Sequence, residues 1–280
     1  MATSPSMPWR ADTRTLLSKV PEVTIFFWII KVLCTTVGET FADFINGRLG
    51  DNLNTTTAVM GSLLVVALIV QFRARGYVPA VYWVTVVLVS IVGTLITDNL
   101  VEHFGWSLTR STIVFGIAML AAFGAWYASE RTLSIHSIHT PKREAFYWLA
   151  ILMTFALGTA AGDLIAEKYS IGYFRSMLLF AGLIAIVAVA HLRFGLNAIV
   201  AFWMAYVLTR PLGASIGDLL SQPRRHAAGE DPTGFQAGLG LGTTVTSIIF
   251  LAAILAVVVY MTSEQRSAPA AAAGAAVEAD

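Results

Sequence analysis

Four aspartates stand in apolar surroundings that should exclude them: Asp43, Asp98, Asp163 and Asp218. Each closes a segment with the same internal spacing. The segments are FWIIKVLCTTVGETFAD, YWVTVVLVSIVGTLITD, YWLAILMTFALGTAAGD and FWMAYVLTRPLGASIGD, beginning at residues 27, 82, 147 and 202. Every one reads aromatic, Trp, nine residues, Gly, four residues, Asp. Four carboxylates at one level, with Glu39 one turn deeper, offer a hard-oxygen acidic site. Thr94, Thr159 and Thr40 can add neutral oxygens. Oxygen-only sites suit hard cations such as Mg²⁺, Ca²⁺ or Mn²⁺. Asp43, Asp98, Asp163, Asp218 and Glu39 are therefore the expected metal-binding residues, with Thr94 and Thr159 beside them. Clustered carboxylates cannot all stay ionised without counter-charge, which lets protons compete with a bound cation.

Helical neighbours recur every four residues, so steps of four from each Asp trace one helix face. The first face carries Thr35, Glu39, Asp43 and Gly47, and the second Ser90, Thr94, Asp98 and Glu102. The third carries Phe155, Thr159, Asp163 and Glu167, and the fourth Arg210, Ala214, Asp218 and Gln222. Ionisable groups inside a membrane face a bundle interior or a wet cavity. The simplest arrangement gathers the four polar stripes around a pseudo-fourfold centre. Arg210 is the exception among its uncharged equivalents, and it is expected to serve as counter-charge to Glu39 when no cation is bound.

The elements that position these residues follow from composition and repetition. The chain has 280 residues, 56% of them hydrophobic and 12% charged, against about 25% charged in a soluble domain. A second apolar run follows each motif segment, at about residues 55–72, 110–129, 175–192 and 238–261, and about 20 apolar residues span a bilayer. The expected fold is an all-α polytopic membrane protein with eight transmembrane helices, arranged as four two-helix hairpin repeats. Each repeat has two spans, so all four copies point the same way, unlike the inverted repeats of many transporters. The expected divisions are a cytoplasmic N-terminal tail (1–20), repeats at 21–75, 76–130, 142–194 and 195–262, a cytoplasmic loop (131–141) and a disordered C-terminal tail (263–280). Of the 18 Lys and Arg, ten fall on the side of the termini and six on the other. That bias predicts cytoplasmic termini.

Other readings bear on the same residues. Gly38, Gly93, Gly158 and Gly213 recur at a depth where small residues permit close helix packing. Trp28, Trp83, Trp148 and Trp203 are expected as interfacial anchors of the aromatic belt. The aspartates also have local alternatives, because Asp98–Arg110 and Asp163–Arg175 share a twelve-residue spacing that could lock each hairpin. The spacing repeats where those arginines do not, since Thr55 takes that place in the first repeat. That favours a shared central role.

Four tandem two-helix repeats, each with its Trp, Gly and Asp, resemble a family of bacterial integral-membrane proteins built from a repeat of unknown function. RPLGASIGDLLSQP and GLGLGTTVTS carry the resemblance further. It implies the architecture and a bacterial inner-membrane location, and no substrate. One cysteine, Cys34, excludes an intrachain disulfide, and a net charge of +1 gives no electrostatic case for nucleic acid. Enzyme motifs are absent: no H-E-x-x-H, no nucleophile elbow, no Walker motif. The expectation is no enzyme and no cofactor, but a secondary transporter of a cation, with proton-coupled export of a divalent metal as its finer form. A cation channel with a central pore and a non-transporting scaffold or sensor subunit are the alternatives. The expected partners are the bilayer and the cation itself.

Overall fold

The computed structural model describes residues 18–224 and 238–277, with side chains to residue 263. Most of the expected N-terminal tail and the last three residues lie outside the described residues. The helices are α1 (Ile25–Arg48), α2 (Leu53–Arg73), α3 (Pro79–Asp98), α4 (Leu108–Glu130), α5 (Pro141–Asp163), α6 (Tyr173–Phe194), α7 (Ala198–Ser221) and α8 (Gly242–Val277). Eight helices are long and apolar enough to cross a membrane, and the chain is a multi-pass membrane protein. Helix starts follow local chemistry. Thr24, Asn52, Ser107, Thr140 and Asn197 each accept a backbone N–H of the first turn, and Pro79 and Pro141 occupy first-turn positions where no N–H is needed. The last helix runs on to Val277, through the Ala-rich stretch whose composition suggested no fixed structure; alanine's helix preference accounts for that run.

α1, α3, α5 and α7 carry the four motif segments and form an inner ring, each touching the next and α7 returning to α1. The inner spans are more than half buried and the outer ones less than a quarter, as expected when the outer helices face lipid. The outer helices do not rest mainly on the helix that precedes them. α2 packs on α3, α4 on α5, α6 on α7, and α8 closes the circle on α1. Each repeat therefore hands its second helix to the motif helix of the next.

Two circles of side chains fix this arrangement. A methyl added at Gly38 would strike Ser90, one at Gly93 would strike Phe155, one at Gly158 would strike Arg210, and one at Gly213 would strike Thr35. In each case the intruding residue lies three positions before the glycine of the next repeat. Nearer the other end, Phe27 packs on Trp83 at 5.6 Å, Tyr82 on Trp148 at 5.6 Å, Tyr147 on Trp203 at 6.2 Å and Phe202 on Trp28 at 5.6 Å. This corrects the expected role of the tryptophans. Trp83, Trp148 and Trp203 are buried and Trp28 is partly buried, because each ring fills the gap between neighbouring motif helices instead of facing outward. The Trp83 indole N–H donates to Tyr77 and that of Trp203 to the Leu133 carbonyl.

The segment before α1 is tucked under the Trp end of the bundle. Lys19 donates to Glu144 at 2.7 Å and to the Phe72 carbonyl at 2.9 Å, and Gln71 donates to the other Glu144 oxygen at 3.1 Å. Its backbone N–H reaches the Ile138 carbonyl. Lys19 is thus buried.

Candidate functional site

The four polar stripes meet at the centre of the ring. Exposure falls along them from the Asp end inward. Glu102, Glu167 and Asp43 are exposed, Asp98 and Asp163 half-buried, and Asp218 and Glu39 buried. Below them Thr35, Ser90, Phe155 and Arg210 are fully buried, and so are Lys31 and Tyr206. The centre is therefore a funnel, open at the Asp end and closed at the level of Arg210.

Carboxylate oxygens of Glu39, Asp163 and Asp218 lie within 4.8 Å of one another. Asp43 and Asp98 stand outside this group among the described residues, although their charges remain close enough to interact with Glu39. The expected ring of four equal aspartates is thus an inner triad and two outlying acids. The helices that carry the aspartates also end differently. α3 and α5 pass into π-helical turns, Asn99–His103 and Leu164–Lys168, directly after their aspartates, while α1 runs straight on past Asp43. These turns do not sort the acids, since Asp163 precedes one and belongs to the triad while Asp43 precedes none and does not. The hairpin lock fails at Asp98, since the Arg110 guanidinium stacks on Trp106 at 4.0 Å and no ion pair joins it to Asp98 among the described residues. Thr40 also drops out of the expected oxygen set. It donates to the Thr36 carbonyl and accepts from Ser247 of α8, away from the centre.

Arg210 forms the floor of the funnel. Its Nη2 donates to Glu39 Oε2 at 2.6 Å and contacts Thr94 Oγ1 and Thr159 Oγ1, while Nη1 donates to the Thr35 carbonyl at 3.3 Å. Two residues of the first repeat and one each of the second and third are thereby tied to a single side chain of the fourth. The stem of Arg210 passes across Gly158, which is why that position carries no side chain. The expected Glu39–Arg210 pairing is present, with Arg210 fully buried and Glu39 nearly so.

A second basic residue, Lys31, lies beneath. Its Nζ is fully buried, has no hydrogen-bond partner, and lies 4.2 Å from the Phe155 ring centre and 4.1 Å from that of Tyr206. The amine is thus sandwiched between two aromatic faces. Beneath it the hydroxyls of Tyr82 and Tyr147 bond to each other. Tyr82 and Tyr147 are the aromatic residues preceding the repeated Trp, so the repeat itself carried the signal for this plug. Lys31 had no such signal, because its equivalents Val86, Ile151 and Tyr206 are uncharged.

The family described as Repeat of Unknown Function (DUF347) matches the chain four times, over residues 26–77, 81–132, 146–196 and 201–267. No match is found among curated proteins or among solved structures.

Proposed function

The chain belongs to the Repeat of Unknown Function (DUF347) family, and on that premise we propose that it is a secondary transporter of a cation. One observation carries the reading: a carboxylate funnel, graded from exposed to buried, ends on an enclosed Arg210–Glu39 pair. Glu39, Asp163 and Asp218 supply a cluster of oxygens suited to a hard divalent cation. Asp43, Asp98, Glu102 and Glu167 draw cations toward it by their summed field. The closed floor favours a carrier over a channel, since a channel needs a continuous path past Arg210, Lys31 and the tyrosines. Release to the other side then requires a second conformation in which the Trp end opens. Protons competing for the same carboxylates supply the coupling for export.

The Lys and Arg bias supports cytoplasmic termini in a bacterial inner membrane, with the acidic mouth on the far side. The proposed partners are the bilayer and the transported cation.

Ion flux in proteoliposomes tests the reading. Wild type loaded on one side should move Mn²⁺ or Mg²⁺ in a saturable manner that responds to an imposed pH gradient, and Asp163→Asn should abolish that movement. Large flux that rises with voltage without saturating would favour a channel instead. Undiminished flux in both Asp163→Asn and Asp218→Asn would sink the site.

A further inference from the structure

Arg210 sits in a cage that fits it poorly. Its Nη2 carries two hydrogens, yet three oxygens crowd it: Glu39 Oε2 at 2.6 Å, Thr94 Oγ1 at 2.5 Å and Thr159 Oγ1 at 2.7 Å. Meanwhile Nε of the same guanidinium is buried and has no partner. Acceptors are in excess at one atom while a donor two bonds away goes unused. Buried donors are rarely left so.

The oxygens are also pre-aimed. Thr94 sends its hydroxyl hydrogen to the Ser90 or Gly38 carbonyl, and Thr159 sends its own to the Phe155 carbonyl. Both therefore turn lone pairs toward the cage. Glu39 and the Thr35 carbonyl are acceptors as well. Nothing in this shell donates. Acceptors converging on one point from three repeats suit a small spherical ion better than a planar fork of donors.

We propose that Glu39, Thr94, Thr159 and the Thr35 carbonyl form a binding site for a dehydrated monovalent cation of the sodium class, and that Arg210 is a tethered occupant holding the site when the ion is absent. Charge argues for the monovalent class. A singly charged ion replaces the guanidinium without altering the local balance, whereas a divalent ion belongs one level outward, where Asp163 and Asp218 join Glu39. Glu39 is shared by the two levels, so filling one changes the other. Resting on the carrier reading, this adds a monovalent ion to the protons and the divalent cation that compete through Glu39.

The test separates binding from transport. Arg210→Met keeps the Cβ and Cγ that lie against Gly158 and removes the tethered charge. Thermal unfolding of the purified variant in detergent is followed while NaCl replaces choline chloride at constant ionic strength. Sodium should raise its Tm saturably, with half the effect at a concentration about tenfold or more below that needed by wild type, because the tethered competitor is gone. Adding Thr94→Val and Thr159→Val should abolish the response, while any stabilisation by Mg²⁺ persists. Arg210→Gln is the second variant, with the same expectation. The proposal is overturned if the folded variants ignore Na⁺, Li⁺ and K⁺, if the sodium response survives loss of both threonines, or if neither variant folds in sodium or choline. Divalent flux in liposomes is read separately. Its absence, with the sodium response intact, would remove the carrier reading and leave the cage standing.

Discussion

Glu39 of the first repeat and Arg210 of the fourth meet at 2.6 Å on the floor of the acidic funnel, joining the two ends of the repeat series across the bundle. Removing one partner leaves the other charged, enclosed and unpaired. Glu39→Gln or Arg210→Met should each destabilise the protein by about 3–5 kcal/mol. The double variant should lose clearly less than the sum, since the isolated charge is gone. Thermal or denaturant unfolding in detergent gives the cycle. Simple additivity would mean the pair contributes nothing as a pair.

The glycine circle makes a positional prediction. Gly213→Ala would drive a methyl into Thr35 and the Thr36 backbone, while Gly182→Ala on α6 meets open space. The first should cost about 1–3 kcal/mol or disrupt assembly of the bundle. The second should be neutral or slightly stabilising, by up to about 1 kcal/mol, from helix propensity. Equal effects at the two sites would contradict the packing described.

Graded burial predicts graded function. In the flux assay Asp163→Asn and Asp218→Asn should abolish divalent movement. Asp43→Asn, outside the triad and exposed, should retain it with a half-saturating concentration raised severalfold. The ranking, read from concentration dependence, distinguishes a triad from a ring of four equal ligands, which would give equal losses.

The tucked N-terminal segment depends on Glu144. Glu144→Ala leaves Lys19 with only the Phe72 carbonyl and strips Gln71 of its acceptor. Breaking a buried pair of this kind costs about 3–5 kcal/mol, concentrated at the Trp end. Limited proteolysis should cut near Lys19 much faster in the variant than in wild type. Unchanged cleavage would show that the segment is held by its apolar contacts alone.

Much of this architecture was legible in the sequence. Four repeats with one spacing forced four equivalent helices, and steps of four placed Glu39, Asp163, Asp218 and Arg210 on facing stripes. What the sequence did not display was the relation between neighbours. A Trp at a repeated helix position reads the same whether it faces lipid or fills the gap beside Tyr82 or Tyr147. Contiguity in the chain suggested that α2 rests on α1, but contact is decided by which groove an outer helix fills, and α2 fills that of α3. Lys31 gave no sign of its burial, since depth along a helix does not tell direction around it. Equal spacing along the chain also does not announce that only Asp163 and Asp218 of the four aspartates close on Glu39.

The handing of each outer helix to the next repeat gives the bundle the form of a domain-swapped ring, with α8 on α1 as its clasp. Four separate copies of one ancestral hairpin could build the same ring. Such a homotetramer would carry four arginines at the floor or none, and four glutamates or none. Four arginines would repel one another, and none would leave the acids without a counter-charge. Fusing the copies into a single polypeptide frees equivalent positions to diverge, so that one Arg210 can face one Glu39 between two threonines. The covalent connection, more than the fold, is what makes an asymmetric centre available inside a symmetric frame.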